Sequence, residues 1–231
     1  MRQLILTIIS CSCLFADKPI TAENILNLEY ISQPSINVGG TRIAYVKSVP
    51  PSSQSKSRSS FREVWVTDVD GTNQRQFTSG PNNSWSPEWT PDGNLSFLSL
   101  RKEHNKFTQI YTIPTDGGEA VPLTSHSGSV SYYSWSPNGR WIAFISKDKI
   151  SIEEQERKTE GYDMIVMGKE QLYNRLWIFD LETKSHETIF RQDLNVSNFV
   201  WSPDSKFIIF QASEKVNIDK EYLESSIYLV K

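Results

Sequence analysis

The sequence predicts an all-β protein assembled from repeated four-stranded antiparallel units, and two periodic features carry this prediction. A turn motif occurs three times, as Trp89-Thr90-Pro91-Asp92-Gly93, Trp135-Ser136-Pro137-Asn138-Gly139 and Trp201-Ser202-Pro203-Asp204-Ser205. A second feature, an aliphatic residue followed by Trp or Tyr, accompanies the repeat at Val64-Trp65, Ile110-Tyr111, Leu176-Trp177 and Ile227-Tyr228. Both features advance by 46 and then by 66 residues (137 − 91 and 203 − 137 for the prolines, 111 − 65 and 177 − 111 for the aromatic residues). The repeat is therefore about 46 residues long, and one copy carries an insertion of about 20 residues.

Each repeat contains four segments that suit short strands. In the third copy these segments are residues 129–135, 141–146, 175–181 and 186–190. Proline fixes φ at the first turn position and Asp-Gly or Asn-Gly tolerates positive φ, so the motif predicts a hairpin turn between the first two strands. Four-stranded antiparallel units of this length are typical of β-propeller blades. Amphipathic helices do not alternate with the strands, which argues against a parallel α/β fold.

The first sixteen residues predict a secretory signal peptide. Arg2 precedes an apolar stretch from Leu4 to Ile9, and small residues then lead to Ala16. This apolar stretch is much shorter than the roughly 20 residues that a membrane-spanning helix needs. We therefore expect an exported protein, either periplasmic or secreted. Cleavage after Ala16, lipidation of Cys11 within the lipobox-like residues 8–11, and a buried N-terminal strand are the three alternatives.

The rest of the chain divides into an N-terminal segment, residues 17–31, and a propeller domain, residues 32–231. The expected four-stranded blades occupy residues 32–79, 82–125 and 128–191, and a fourth blade offers three strands, at 197–201, 207–212 and 226–230. We therefore expect a partial β-propeller, with three complete four-stranded blades and an incomplete fourth. A complete four-bladed ring is the alternative.

Helix is predicted in only two places. Thr21 is a suitable N-cap for a short helix that reaches about Leu28. A charged stretch at residues 151–158 opens the insertion between Lys149 and Gln171. Residues 48–60 are rich in Ser and Pro and predict a flexible loop between two strands.

The composition excludes several classes of function. The chain has 24 Lys and Arg residues against 27 Asp and Glu, and a net charge of −3 does not suit a nucleic-acid partner. Both cysteines, Cys11 and Cys13, lie in the leader, so the remaining chain has no disulfide and no thiolate metal site. Three histidines, which we interpret as loop residues, lack the spacing of a zinc site: His104, His126 and His186. We expect neither a metal nor another cofactor.

The repeats with their Trp-Ser-Pro-Asp-Gly turns resemble those of two propeller groups. These are the N-terminal propeller of the prolyl oligopeptidase family of serine peptidases and the TolB-like periplasmic propeller. Residues 20–48 also resemble the start of the propeller in bacterial acylaminoacyl and dipeptidyl peptidases, and residues 161–166 followed by residues 174–181 resemble the long third-blade insertion of those enzymes. The resemblance covers nearly all of the chain after the leader, and the insertion favours the peptidases over the TolB group.

The resemblance implies a division of labour between two domains. In the peptidase family a C-terminal α/β-hydrolase domain carries a Ser-Asp-His triad, and the propeller restricts access to short peptides. No Gly-x-Ser-x-Gly motif occurs in this sequence, so no catalytic residue is assigned. The implied function is the substrate-gating propeller of an exported peptidase, truncated before the hydrolase domain. Its partners would be a peptide substrate or that domain, and membrane contact would occur only through a lipid on Cys11. The alternative is a non-enzymatic TolB-like periplasmic propeller that binds a protein partner.

Two acidic residues are the candidates for substrate binding. Glu153 and Glu154 resemble the acidic pair with which dipeptidyl peptidases hold the free amino group of a substrate, and a pair of carboxylates suits an ammonium group. Adjacent glutamates in a charged stretch also form ordinary solvated faces, which is the alternative. The recurring tryptophans at positions 89, 135 and 201 predict packing between blades.

Overall fold

A computed structural model describes residues 20–51, 60–80, 82–101, 106–150, 152–161, 172–190, 193–216 and 223–231. The predicted signal peptide, including Cys11, lies outside the described residues, and so does most of the predicted 48–60 loop. In the described parts of the chain, neither helix has the length and apolar character needed to cross a membrane.

Four antiparallel sheets, which we call blades 1 to 4, follow one another along the chain. Blade 1 consists of β1 (Tyr30–Ile36), β2 (Arg42–Val49), β3 (Phe61–Asp68) and β4 (Arg75–Gln76). Blade 2 consists of β5 (Ser84–Trp89), β6 (Leu95–Ser99), β7 (Gln109–Ile113) and β8 (Val121–Pro122). Blade 3 consists of β9 (Val130–Trp135), β10 (Trp141–Lys147), β11 (Asn174–Asp180) and β12 (Ser185–Thr188). Blade 4 consists of β13 (Asn195–Trp201), β14 (Ile208–Ser213) and β15 (Ser226–Val230).

The predicted fold class is confirmed, because three sheets have four strands in chain order and the described part of the fourth has three. Both helices form where the sequence predicts them, as α1 (Ala22–Leu26) and α2 (Ile152–Thr159). Thr21 caps α1, since its hydroxyl accepts a hydrogen bond of 3.2 Å from the Asn24 backbone amide. The first strand begins at Tyr30, so it starts inside the segment predicted for residues 17–31.

Each recurring turn is a tight hairpin. It is stabilised by the Ser or Thr side chain that stands between the tryptophan and the proline of the motif. Ser136 Oγ donates to Asn138 Oδ1 at 2.8 Å, and Ser202 Oγ donates to Asp204 Oδ1 at 2.6 Å. The final residue has positive φ in all three turns, at +85° for Gly93, +74° for Gly139 and +59° for Ser205. The third motif therefore places serine in a conformation that favours glycine. Its hydroxyl has a compensating role, because it accepts a hydrogen bond of 3.0 Å from the Asn138 backbone amide in the preceding turn.

The recurring tryptophans connect successive blades, as the sequence predicts. The indole N–H of Trp89 donates to the backbone carbonyl of Ser35 in blade 1 at 3.0 Å. The indole of Trp135 donates to Ser96 Oγ in blade 2 at 2.9 Å, and that of Trp201 donates to the backbone carbonyl of Ser134 in blade 3 at 3.2 Å. One residue type at one repeat position therefore makes the same kind of contact across three interfaces.

Apolar clusters fill the spaces between neighbouring blades. The cluster between blades 1 and 2 contains Ala44, Val64, Val66, Leu95, Phe97, Tyr111 and Ile113. The cluster between blades 2 and 3 contains Leu98, Ile110, Val130, Tyr133, Ile142, Phe144 and Phe179. The cluster between blades 3 and 4 contains Ala143, Ile145, Leu176, Leu194, Val196, Phe199, Ile208, Phe210 and Ala212. Burial between blades is thus the main source of stability, since cysteine cross-links are absent from residues 14–231.

Replacing Gly139 by alanine is expected to destabilise the protein more than the same change at Gly93. Both residues have positive φ, which costs alanine about 1 kcal/mol. At Gly139 an added Cβ would also lie 2.9 Å from the Pro91 side chain of the neighbouring turn, whereas at Gly93 no atom lies within 4 Å. Crowding adds about 1–3 kcal/mol at Gly139 alone. Urea unfolding of both variants measures the difference in the free energy of unfolding. Equal losses of stability would show that the turn at Gly139 moves away from Pro91 without cost.

Candidate functional site

The first strands of the blades form the wall on which the candidate site lies. We call β1, β5, β9 and β13 the inner wall, because contacts between these strands link one blade to the next. Gln33 on β1 reaches Ser86 on β5, Tyr133 on β9 reaches the same serine, and Tyr132 on β9 packs against Phe199 on β13 with 5.1 Å between ring centroids. Strands that converge in this way lie on the axial side of a propeller, where ligand paths run.

Every inner-wall strand pairs irregularly with its neighbour. The register shifts between Ser32 and Ser35 in β1, between Trp85 and Glu88 in β5, and between Val196 and Asn198 in β13, and a matching shift occurs where β9 pairs with β10. Proline occupies the interrupted stretch in β1 and β5, and it has no amide hydrogen for a sheet ladder. Bulges re-aim side chains and are frequent beside functional sites, so these interruptions shape the inner wall.

The bulge at Ser86 is fixed from both sides by neighbouring blades. Its backbone amide donates to Gln33 Oε1 at 2.8 Å, and its carbonyl accepts from Tyr133 Oη at 3.0 Å. Tyr133 Oη also lies 3.0 Å from Ser96 Oγ, and the tyrosine is 1% exposed. Both backbone groups of Ser86 are thus hydrogen-bonded, and these bonds hold the residue at its positive φ of +50°.

Glu88 follows this bulge and is the most perturbed acid among the described residues. Burial raises the pKa of its carboxyl from the ordinary value of 4.5 to about 7, and a hydrogen bond from the Trp135 backbone amide opposes this only in part. No basic side chain in the described ranges forms an ion pair with it. A carboxyl that titrates near neutrality without a cationic partner is a candidate for function.

Two tyrosines of β9 complete the cluster around Glu88. Burial raises the pKa of Tyr132, and the negative charge of Glu88 raises it further. The same two causes, in the same order, raise the pKa of Tyr133 well above its ordinary value. Tyr132 is 40% exposed, so its phenol is the open part of the cluster. Glu88 and Tyr132 together provide a titrating acid and a hydroxyl, which suit binding of an ammonium or amide group.

The predicted substrate-binding pair lies elsewhere. Glu153 is exposed on α2, and Glu154 occupies the next position of the same helix, although its side chain lies outside the described part. The rest of the insertion, residues 162–171, is also outside the described ranges. A role for these two glutamates in substrate binding therefore stays a prediction. Among the described residues, no group of three or more potential ligands could hold a metal ion.

The interpretation of the histidines as loop residues is wrong for His186, which lies in β12. It holds for His126, which lies in the connection between β8 and β9 but is only 4% exposed. His126 packs edge-on against Trp177 at 4.5 Å and His186 at 4.8 Å between ring centroids. Burial, followed by the charges of His186 and Lys149, lowers its pKa from 6.5 to about 4. His104 lies outside the described residues.

Sequence reasoning missed both Glu88 and the burial of His126. A signal for Glu88 was present, because the residue just before the recurring tryptophan is Ser134 in the third repeat, Val200 in the fourth and Glu88 only in the second. The burial of His126 gave no such signal, because two of its ring neighbours, Trp177 and His186, lie in strands more than 50 residues later in the chain.

Comparison with curated proteins finds peptidases. The chain is 28% identical over 211 residues to the uncharacterized peptidase YuxL of Bacillus subtilis, a match that spans 85% of this chain and 31% of that protein. It is 20% identical to dipeptidyl-peptidase 5 of Porphyromonas gingivalis, over 86% of this chain and 32% of that protein. The chain thus spans about a third of the length of these relatives. No model of a protein family matches the chain.

Comparison with solved structures shows the propeller fold. An acylaminoacyl peptidase in complex with a chloromethyl ketone superposes with a TM-score of 0.64 at 15% identity, over 90% of this chain and 32% of that chain. An acylaminoacyl peptidase from Pyrococcus horikoshii gives a TM-score of 0.62 at 15% identity, over 89% of this chain and 32% of that chain. TolB from Acinetobacter baumannii gives 0.50 at 16% identity, over 78% of this chain and 39% of that chain.

Proposed function

We propose that this chain is the substrate-gating propeller of an exported peptidase that acts on short peptides, with the hydrolytic chemistry in a separate domain. The observation that carries the proposal is the match to named peptidases over 85–86% of this chain, while the chain corresponds to only about a third of each relative. A propeller that is one part of a longer peptidase accounts for both figures. The absence of a Gly-x-Ser-x-Gly turn from the sequence agrees with a catalytic serine located elsewhere.

The inner wall supplies the chemistry for gating. A peptide that passes along the axial side of the blades meets the exposed phenol of Tyr132 and the carboxyl of Glu88. Near neutral pH the ionised fraction of Glu88 attracts a free amino terminus, and the protonated fraction donates a hydrogen bond to a peptide carbonyl. The insertion at residues 149–171, with Glu153 and Glu154, serves in this proposal as a rim element that meets the substrate or the hydrolase domain.

A binding module of the TolB type is the second candidate, and the fold similarity to TolB supports it. In that case the chain would bind a protein partner without any associated hydrolase. The nucleotide sequence that follows the codon of Lys231 discriminates between the two. A reading frame for an α/β-hydrolase favours the peptidase, and further blades followed by a stop codon favour the binding module.

The chain by itself is expected to hydrolyse no peptide bond. The test is to incubate purified residues 17–231 with a panel of aminoacyl and acyl-peptide chromogenic substrates and with a serine-reactive fluorophosphonate probe. A full-length peptidase relative serves as the positive control. Turnover together with stoichiometric labelling of a serine in this chain would reveal an active site within it and refute the proposed division of labour.

Export is expected to remove the first ten to sixteen residues. Mass spectrometry of the N-terminus of the protein made in its own cells measures this directly. A new terminus at Asp17 indicates simple cleavage after Ala16, and a diacylated Cys11 indicates a lipoprotein. A cytoplasmic protein that retains Met1 would contradict export. That result would not bear on the assignment of the propeller to a peptidase, which the nucleotide sequence and the activity assay test separately.

A further inference from the structure

A cleft opens between blades 1 and 2, at the end of the blades that carries the recurring hairpin turns, and it has a volume of about 250 Å³. Its polar lining consists of Arg42, Asp68, Asn73 and Arg75 of blade 1 and Thr115 of blade 2. We call it the arginine cleft. None of these residues belongs to the inner wall or to the insertion, so the cleft is separate from the surfaces proposed for substrate gating.

The arginine cleft holds two guanidinium groups and one carboxylate. Arg42 Nε lies 3.7 Å from Asp68 Oδ1, and Asn73 Nδ2 donates to Asp68 Oδ2 at 2.7 Å. No acidic side chain in the described ranges forms an ion pair with Arg75. The guanidinium of Arg75 lies instead over the ring of Phe77, 5.4 Å from its centroid. One positive charge of the cleft is therefore uncompensated, and a cleft concentrates such a field on a bound anion.

The other blades show that the fold does not require these two arginines. When the blades are aligned on the pairing of their second and third strands, Arg42 corresponds to Asn94, Trp141 and Phe207, and Arg75 corresponds to Val121 and Glu187. Among the described strands, arginine therefore stands at these positions in blade 1 alone, and the other blades form with apolar, amide or acidic side chains there. Two guanidinium groups that packing does not require, placed in one cleft, indicate a binding role.

The equivalent cleft between blades 3 and 4 has a different, apolar chemistry. Its volume is about 290 Å³, and Trp141 and Ile178 line it at the positions of Arg42 and Val66. The repeat thus provides a cleft of similar size at two interfaces, and the side chains decide what each cleft can hold. The arginine cleft keeps an apolar floor, because Val66 is 5% exposed and Phe77 packs against the same cluster. A ligand that fits it has a negative charge for the guanidinium groups and an apolar group for the floor.

Carboxylates match the forked geometry of guanidinium groups and form short, charge-assisted hydrogen bonds with them. One carboxylate also balances the single uncompensated charge of the cleft. We propose that the arginine cleft binds a carboxylate that carries a small apolar group, with Arg75 and Arg42 as its ligands and Phe77 beside the apolar group. The carboxy-terminal residue of a peptide and a free carboxylic acid share this chemistry. The site goes beyond substrate gating, because it would operate equally in a peptidase propeller and in a binding module.

Titration calorimetry of the full chain with N-acetyl-leucine and with N-acetyl-leucinamide tests the proposal, because the two probes differ only in the carboxylate. We expect the acid to bind at least about tenfold more tightly than the amide. Arg75→Gln should lower the affinity for the acid at least about tenfold, since it removes a charged donor. Arg140→Gln is the matched control. It removes an exposed arginine at the same end of blade 3 and should leave the affinity for the acid unchanged.

Two results would overturn the proposal. One is equal affinity for the acid and the amide, or no binding of the acid up to about 10 mM. The other is an equal loss of affinity in Arg75→Gln and Arg140→Gln, because that would show a general effect of net charge. Both arginines are exposed, so neither variant should unfold, and urea unfolding verifies this.

A tetrapeptide that ends in leucine, with a free or an amidated carboxy terminus, distinguishes the two sources of the carboxylate. Tighter binding of the free-terminus peptide than of N-acetyl-leucine indicates the carboxy terminus of a peptide, and weaker binding indicates a free acid. The carboxylate site stands in both cases. These measurements involve binding alone, so their failure and the failure of the proposed peptidase function are distinguishable.

Discussion

Replacement of Glu88 by glutamine is expected to stabilise the protein, and the gain should increase from acid to alkaline pH. The folded protein raises the pKa of this carboxyl from 4.5 to about 7, so between these values the folded state holds a proton that the unfolded state releases. The contribution of Glu88 to the free energy of unfolding therefore falls as pH rises through this window. Each pKa unit corresponds to about 1.4 kcal/mol, so the penalty of the ionised carboxylate reaches about 3 kcal/mol above pH 7. Glutamine carries no charge and avoids this penalty.

Urea unfolding of the wild type and of Glu88→Gln at a series of pH values from 4 to 8.5 measures the effect. The two proteins should have similar stability near pH 4 and diverge toward pH 8. Glu187→Gln, which removes an exposed carboxylate on β12, is the matched control and should follow the wild-type profile. Parallel profiles for the wild type and Glu88→Gln across the whole range would show that the carboxyl is solvated in the folded protein.

The Glu88→Gln variant also tests the proposed role of this carboxylate in substrate gating. If the ionised carboxylate of Glu88 attracts the amino terminus of a passing peptide, a complete peptidase with Glu88→Gln should show a higher KM for substrates with a free amino terminus. Substrates with a blocked terminus should be affected less, because they lack the ammonium group. This comparison separates the function of Glu88 from its effect on stability, since a loss of folded protein would lower activity toward both kinds of substrate equally.

The blades were predictable from the sequence because two independent sequence features recur with the same spacing. A single Trp-Ser-Pro-Asn-Gly turn identifies one hairpin, but two features that shift together by 46 and 66 residues fix the length of the whole unit. The role of Trp135 followed from the same logic, since a residue that recurs once per repeat contacts the neighbouring repeat. The helix at 152–159 was also predictable, because its charged composition contrasts with the apolar strands around it.

The inner-wall cluster was not predictable from local pattern. The stretch Ser84–Trp89 resembles any short strand, and the bulge at Ser86 depends on Gln33 and Tyr133, which are 53 and 47 residues away in sequence. Burial of the carboxyl at Glu88 follows from this bulge and from the packing of blade 3 against blade 2. A single sequence gives propensities and periods, whereas the environment of a titrating group is decided by contacts across blades.

Replacement of His126 by phenylalanine is expected to remove a dependence of stability on pH that has the opposite sign. The folded protein lowers the pKa of this histidine from 6.5 to about 4, so between these values the unfolded state binds a proton that the folded state does not. The free energy of unfolding of the wild type therefore falls as pH decreases from 6.5 to 4, by about 3 kcal/mol for this group. Phenylalanine has no proton to bind and fits among the rings of Phe144 and Trp177.

The two groups oppose each other in the wild type, because their windows overlap between pH 4.5 and 6.5. Glu88 lowers stability with rising pH in this interval, His126 raises it, and the sum should be nearly level. Each single variant should then expose one slope: stability should rise with pH in Glu88→Gln and fall with pH in His126→Phe. The double variant should be nearly level above about pH 5, since neither group remains and the aspartates whose pKa is lowered in the folded protein act below that pH. Urea unfolding at half-unit steps from pH 4 to 7 gives all four profiles. Slopes of the same sign in the two single variants would mean that His126 is solvated or that its ring is charged in the folded protein.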